Sequence, residues 1–264
     1  MRRRLLGLFL SAVTISLFVS PDLTVHAQEV ERSAQELPVR EEINRKFQFA
    51  RFERVEVSGI AGGPVDIETT RGNTIEVHIL RSAQTQAELD CYRTEVENTS
   101  NSLTIQHVQD GRRGVCRSIH AHQRVRLCVP RAVDVSLKTI GGAVNVSAID
   151  GALRLTGIAG HATVAQVREA EINGLAKGLT MSVAQPGARG IHVSGVVGTV
   201  ELNLARNINA DLTVSDRISV DDKTSGVNVT KVNATNGRTR LGSGGAPISI
   251  VGIVGSISIN RQAN

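Results

Sequence analysis

The chain has 264 residues and a formal net charge of +5, with 41% hydrophobic residues but only 2% aromatic residues and no Trp. Large side chains that fill a thick globular centre are scarce, so we expect thin core layers of Val, Ile, Leu and Ala. The small net charge, together with the scarcity of aromatic side chains for base stacking, argues against nucleic acid as a partner.

Residues 1–27 are typical of a secretory signal peptide. Met1–Arg4 is positively charged, residues 5–19 are apolar, and the small residue Ala27 ends a more polar segment. This order predicts export from a bacterial cell, to the periplasm, the outer surface or the medium. An uncleaved membrane anchor is the alternative, although the apolar run is short for a span. Cleavage would remove three arginines and one aspartate, leaving a charge of +3.

Two segments separate the signal peptide from the repeats. Residues 28–46 are charged, include Pro38 and lack a sustained apolar face, which predicts a mobile linker, with a short helix over Glu41–Lys46 as the alternative. Residues 47–131 contain irregularly spaced strand-like runs. We expect them to form an N-terminal β cap, because the open end of a strand stack exposes unpaired edges and apolar core.

Residues 132–264 repeat one short unit, an apolar-polar-apolar triplet such as Val144-Asn145-Val146. Leu153, Ile172 and Ile191 recur in this region at equal steps along the chain. A second series recurs with nearly the same step and comprises Val144, Thr163, Met181, Val200 and Ile218. Two interleaved series with one period predict an all-β fold, a right-handed-type β-solenoid of two-strand coils with an 18–19 residue period.

Several segments resemble the bacterial putative-adhesin family of β-strand-repeat domains of unknown function. They are Leu127-Cys128-Val129-Pro130, residues 135–146, the Gly242-Ser243-Gly244-Gly245 stretch and the final triplet Ile257-Ser258-Ile259. The resemblance covers about residues 50–260, although Ile140-Gly141-Gly142 stands where the family usually has Asn-Gly-Asp. It implies a non-enzymatic, adhesin-like or cell-envelope scaffold protein, and it supplies no catalytic residues and no cofactor.

The segment from Gly111 to Val133 contains six arginines and no acidic residue. Arginine pairs well with carboxylates and phosphates, so anionic envelope polysaccharides or lipid head groups are candidate ligands. This hypothesis assigns ligand binding to Arg112, Arg113, Arg117, Arg124 and Arg126. A solvated strand face that protects a sheet edge is the alternative.

The histidines and cysteines lie near the same segment. His120 and His122 alternate along a strand and form the alternative metal site, but exported cysteines usually oxidise and no C-x-x-C pair is present, so no metal is expected. We predict a disulfide between Cys91 and Cys116. Cys128 lies in a regular strand alternation, whereas the other two flank irregular segments that can adjust to disulfide geometry.

Two other functions remain as alternatives. A carbohydrate-active β-helix enzyme would need paired carboxylates, for which Asp211, Asp216, Asp221 and Asp222 are candidates. Because the repeats lack Trp and Tyr side chains to stack on sugars, we expect no enzymatic activity. The third possibility is an envelope-stress sensing or regulatory domain. Only Asn260–Asn264 follow the last strand, so the C-terminal end of the stack is a candidate surface for homo-oligomerisation.

Overall fold

Strands make up most of the computed structural model, which describes residues 37–48, 54–99, 101–109, 121–215, 230–233 and 236–261. The strands are β1 (Val39–Gln48), β2 (Arg54–Ser58), β3 (Val65–Thr70), β4 (Thr74–Ala83), β5 (Tyr92–Asn98), β6 (Ser102–Gln109), β7 (His122–Pro130), β8 (Asp134–Ile140), β9 (Val144–Val146), β10 (Ile149–Ile158), β11 (Ala162–Val164), β12 (Val167–Leu175), β13 (Gly178–Val183), β14 (Ile191–Leu204), β15 (Ala210–Ser215), β16 (Thr230–Asn233), β17 (Asn236–Leu241) and β18 (Pro247–Arg261). A helix, α1 (Gln86–Cys91), begins after Thr85, whose hydroxyl accepts a hydrogen bond from the Glu88 amide. No helix in these ranges is long and apolar enough to cross a membrane.

Within the described residues, the strands form one mixed, open sheet of 18 strands, so the all-β prediction is confirmed. Its pairings trace two ladders. The first ladder runs in the order β5, β6, β2, β8, β10, β12, β14, β18, β15, β17, β16. The second ladder runs in the order β1, β4, β7, β3, β9, β11, β13, β14, β18. The long strands β14 and β18 belong to both.

Parallel pairing occupies the middle of the first ladder and all of the second ladder from β7 to β18, whereas antiparallel strands occur at both ends of the first ladder and at the β1 end of the second. In the first ladder, every pair from β6 through β15 is parallel, whereas β5, β17 and β16 pair antiparallel. Because β2 and β3 pair in parallel with β8 and β9, the predicted N-terminal cap supplies strands to the interior of the stack as well as to its end.

The core is one continuous cluster of aliphatic side chains from both ladders. Successive residues of a strand point to opposite faces, so the apolar members of each apolar-polar-apolar triplet are buried and the polar residue faces outward. On β9, for example, Val144 and Val146 are buried and Asn145 is exposed. Burial of aliphatic surface, worth about 25 cal/mol per Å², is therefore the main force holding the ladders together.

The pairings of the strands differ from those that the sequence period predicts. Leu153 pairs with Ala170, and Ala170 pairs with Ile191, so the first step is shorter and the second longer than the equal steps that the sequence predicts. In the second series, Val144 pairs with Ala162 and Thr163 faces outward. The difference between the two coils arises mainly from the turn over residues 184–190, which lengthens the later coil.

The chain also departs from the predicted period after β14. Val200 pairs with Ile257, well beyond the next predicted coil, because β15, β16 and β17 intervene and extend only the first ladder. Ile218, the predicted partner of Val200, lies outside the described residues. A sequence period cannot show such an excursion when the inserted strands have the same alternation as the repeats.

The sequence predicts a mobile linker over residues 28–46, of which residues 28–36 lie outside the described residues. Val39–Gln48 instead form β1, which pairs antiparallel along the whole of β4. The helix proposed as the alternative over residues 41–46 is likewise wrong. Ile43 and Phe47 pack against the core, and Lys46 Nζ lies 2.6 Å from Glu76 Oε1 on β4. An edge strand with one solvent-exposed face needs few apolar residues, so its charged composition resembles that of a linker.

Two bends recur where each coil passes from the first ladder to the second. At the first bend, residues at positive φ align across the strands: Gly59, Thr139, Gly157, Gly174, Gly195 and Gly252. At the second bend, the backbones of neighbouring strands lie so close that a Cβ atom has no space, as at Gly63, Gly142 and Gly160, and also at Gly198 and Gly255, where φ is positive as well. We call these the positive-φ bend and the close-contact bend.

Candidate functional site

A row of polar side chains crosses the outer face of the first ladder. Glu56 pairs in register with Ser136, Ser136 with Arg154, Arg154 with Glu171, and Glu171 with His192. The five residues come from β2, β8, β10, β12 and β14, which are neighbours at about 4.8 Å spacing. The row is therefore about 19 Å long, and it combines hydrogen-bond donors with acceptors.

The arginines on this face are ion-paired with glutamates. Arg154 Nε donates to Glu171 Oε2 at 2.9 Å, and Arg189 Nε donates to Glu169 Oε2 at 2.6 Å. A third pair joins Arg54 to Glu56 at 3.1 Å. Since most of these side chains are largely exposed, each pair contributes at most about 1 kcal/mol to stability.

A groove lies between these long side chains, and we call it the Ser136 groove. Its cavity volume is about 590 Å³, within the range of small-molecule sites. Ser136 is short and lies in register between the longer Glu56 and Arg154, and Ala152, which pairs with Glu169, is also short, which makes this part of the face concave. Asp134, Glu169, Glu171, Arg189 and His192 complete the polar lining.

Ser136 is an unusual member of the lining. It points outward, between the core residues Val135 and Leu137, yet it is only 5% exposed. Its Oγ makes no hydrogen bond. A buried hydroxyl without a partner costs about 1–3 kcal/mol, and nearly all buried polar groups in proteins avoid this cost. The groove therefore contains an unused donor and acceptor.

Glu169 is the most enclosed of the paired carboxylates in the groove, with a side chain that is 20% exposed. Burial raises the pKa of this carboxyl, but side-chain and backbone hydrogen bonds from Arg189 and the charges of Arg189 and Arg168 outweigh burial. The pKa of Glu169 therefore lies below its ordinary value, and the group is a carboxylate near neutral pH.

The outer face of the second ladder carries two of the five arginines of the basic-segment hypothesis. Arg124 lies 3.1 Å from Asp66, which also accepts a hydrogen bond from Asn145, and Arg126 lies 3.2 Å from Glu68. The segment has no acidic residue of its own, but β3 provides two across the parallel β3–β7 pair. Arg112, Arg113 and Arg117 lie outside the described residues.

Of the two histidines that form the alternative metal site, only His122 is among the described residues. His122 Nδ1 lies 3.1 Å from the Gly62 carbonyl oxygen, and His120 lies outside the described residues. Within the ranges given above, no group of three or more His, Cys, Asp or Glu residues is arranged to hold a metal ion.

Of the three cysteines, Cys128 is a free, half-buried thiol on β7. Burial, followed by the negative charges of Glu68 and Glu76, raises the pKa of Cys128, so the thiol is protonated near neutral pH. Cys91 is buried at the end of α1, and Cys116 lies outside the described residues. The Cys91–Cys116 disulfide stays a prediction.

Of the four aspartates that are candidates for catalysis, only Asp211 is among the described residues. Asp211 Oδ1 lies 3.5 Å from Arg240 Nε, and its other oxygen accepts from the Gly245 amide. Asp216, Asp221 and Asp222 lie outside the described residues. The Ser136 groove was not visible in the sequence, because its members come from strands whose register has to be known first.

The chain matches no protein-family model and no curated protein. Among solved structures it is similar to a putative cell adhesion protein from Clostridium sporogenes, with 10% identity and a TM-score of 0.41 over 85% of this chain and 100% of that one. A putative adhesin from Bacteroides fragilis has 9% identity and a TM-score of 0.32 over 84% and 99%. A putative lipid binding protein from Parabacteroides distasonis has 15% identity and a TM-score of 0.25 over 84% and 97%. Similarity at this level carries no argument about function.

Proposed function

We propose that this chain is a non-enzymatic, exported, adhesin-like or scaffold protein of the bacterial cell envelope, built as a right-handed-type β-solenoid. The observation that carries the proposal is the stacking of β8, β10, β12 and β14 in parallel, with one coil of similar length between each pair, over an aliphatic core. Stacked coils of this kind present long, regular outer faces, which suit the recognition of extended polymers.

The charged groups of the groove support binding rather than catalysis. A glycoside hydrolase needs one carboxylic acid with a raised pKa beside a second carboxylate. Here the pKa of Glu169 is lowered through Arg189, and Glu171 is ion-paired with Arg154. Neither carboxylate is placed to hold a proton for a leaving group. A binding module therefore fits the first ladder better than a carbohydrate-active enzyme does.

The first test combines binding and turnover. We expect the purified protein to bind members of an array of bacterial and host glycans and to leave the same polymers uncleaved. Release of shorter or unsaturated products from any bound polymer would show an enzyme instead. An array without any bound glycan would contradict the adhesin-like role.

The proposal includes an anionic envelope polymer or lipid head group as a second ligand, at the basic segment. Since Arg124 and Arg126 are ion-paired, the test concentrates on Arg112, Arg113 and Arg117. Replacing all three with Ser is expected to remove most binding to an anionic polysaccharide. Parent binding should fall steeply with salt, because exposed charges are screened beyond about 8 Å at physiological ionic strength. Equal binding by both proteins would identify a solvated face.

Homo-oligomerisation through the C-terminal end also belongs to the proposal. Val254 is 70% exposed, and Val197, its partner in register on β14, is 51% exposed. Exposed valines on adjacent strands support an apolar contact at this end. Sedimentation velocity is expected to show a dimer that Val254→Lys dissociates. A monomer at all concentrations would contradict this part of the proposal.

A further inference from the structure

We infer that the Ser136 groove is a binding site for a neutral oligosaccharide. The inference rests on the proposed function, because it takes the first ladder as a face that binds without turnover. It adds the position of the site and the chemical class of its ligand.

The charge balance of the groove disfavours an anion and favours a neutral ligand. Arg54, Arg154 and Arg189 are matched in the lining by Asp134, Glu169 and Glu171. Each arginine already has a glutamate partner, so an anionic ligand would have to displace a carboxylate from its guanidinium. A sugar hydroxyl instead donates to the carboxylate and accepts from the guanidinium of the same pair, which leaves the pair intact.

Ser136 gives the groove its second, independent indication of a ligand. Its Oγ can donate one hydrogen bond and accept others, and it makes none in the structure. Protein interiors rarely leave such a group unpaired unless a ligand or water supplies the partner. A ligand hydroxyl reaching the bottom of the groove would satisfy it, once Arg154, which is half exposed and next in register, moves aside.

The shape of the groove favours several sugar units over one. Its lining residues come from five neighbouring strands, so the polar row extends about 19 Å across the sheet. Ala152, which also lines the groove, provides a small apolar patch against which the C–H face of a sugar ring can pack. The lining includes no aromatic residue, so affinity has to come from hydrogen bonds repeated along the row.

Ser136→Val separates a ligand-binding role from a structural one. The substitution removes the unpaired hydroxyl and introduces a β-branched side chain, which suits a strand. We expect the melting temperature to rise by about 2–4 °C, because a costly unpaired group is lost. We expect binding to a neutral oligosaccharide to weaken at least about tenfold, because a buried hydrogen bond to the ligand is lost.

The matched control is Thr163→Val, on β11 of the second ladder. Thr163 is exposed and faces outward away from the groove. The substitution should leave oligosaccharide binding unchanged. Ala152→Ile provides a second groove variant, which fills the space and retains the Ser136 hydroxyl. It is expected to weaken binding as strongly as Ser136→Val, and it keeps the test valid if that variant fails to fold.

The experiment titrates the protein, as isolated after export, and each variant with cellohexaose, chitohexaose, maltohexaose and a galacturonic acid hexamer in a calorimeter. The inference predicts saturable binding of at least one neutral hexamer, in preference to the acidic one, and loss of that binding in both groove variants. Preference for the acidic hexamer, absence of binding to any neutral hexamer, or equal binding by parent and Ser136→Val would overturn it.

Product analysis of the same samples distinguishes the two proposals. Shortened oligosaccharides would end the proposal of a non-enzymatic protein and leave the site in place. If glycans bind on the array but both groove variants bind them as the parent does, the proposed function stands and the Ser136 groove does not.

Discussion

Gly157 at the positive-φ bend and Gly142 at the close-contact bend are both glycines, but for different physical reasons. At Gly157, φ is +65° and a Cβ atom would meet nothing closer than 3.8 Å. At Gly142, φ is not positive, but a Cβ atom would lie 2.0 Å from the carbonyl oxygen of Gly63 in the neighbouring coil. The first glycine satisfies a local backbone conformation, and the second satisfies packing between coils.

The positive-φ bend has a specific effect on side-chain direction. Leu155 and Ile158 are three residues apart, so strict alternation would place them on opposite faces, yet both are buried. Gly157 between them changes the phase of the alternation, as a residue in the left-handed region does at a bulge. The core therefore continues around the bend from the first ladder to the second.

Gly142→Ala should have the largest effect of the substitutions at the two bends. Its Cβ would meet backbone atoms of Gly63 at 2.0 and 2.3 Å, which no side-chain rotation can relieve. We expect a loss of about 3 kcal/mol in the free energy of unfolding, at the upper end of the usual cost of overpacking. Chemical denaturation of the purified variant measures it.

Gly72→Ala is the matched control for that substitution. A Cβ at Gly72 would approach only Thr70 Oγ1, at 3.7 Å, and its φ is not positive. Its free energy of unfolding should change by no more than about 0.5 kcal/mol. If Gly142→Ala and Gly72→Ala unfold at the same denaturant concentration, the coils do not approach one another as closely as the structure shows.

Gly157→Ala should have a smaller effect, because the new methyl group has space and only the backbone conformation is unfavourable. An L-residue in the left-handed region costs about 1–2 kcal/mol, and we expect a loss of that size. Asparagine tolerates this region better than alanine does. Gly157→Asn should therefore be more stable than Gly157→Ala, and equal stability of the two variants would refute a conformational origin.

The glycines of the two bends also explain which part of the fold could be predicted from the sequence. Apolar-polar-apolar triplets correctly indicate strands, but a pattern of period two matches itself equally well after a shift of two residues. That shift is the error that paired Leu153 with Ile172 instead of Ala170. The unit Leu155-Thr156-Gly157-Ile158 recurs as Ile172-Asn173-Gly174-Leu175, and its glycine removes the ambiguity.

The candidate site could not be found in the same way. Whether an arginine is neutralised depends on its neighbours across strands: Asp66 and Arg124 are 58 residues apart, and a sequence window around Arg124 contains no acid. The hydroxyl of Ser136 is likewise ordinary in sequence, since outward serines are common in the repeats. Its burial becomes visible only when β2 and β10 are placed on either side of β8.

Thr139 offers the smallest and most discriminating test of the positive-φ bend. It is the only non-glycine residue at positive φ among the described residues, with φ of +53°, and it is β-branched. Thr139→Gly should relieve about 1–2 kcal/mol of backbone strain. The new glycine loses more conformational entropy on folding, which costs about 0.5–1 kcal/mol. The expected net gain is about 0.5 kcal/mol, or about 1–2 °C in melting temperature. Thr163→Gly, at an exposed strand position without positive φ, should instead lose about 0.5–1 kcal/mol. Opposite signs for the two threonines would support the structure of the bend, and an equal loss at both would show that Thr139 is not strained.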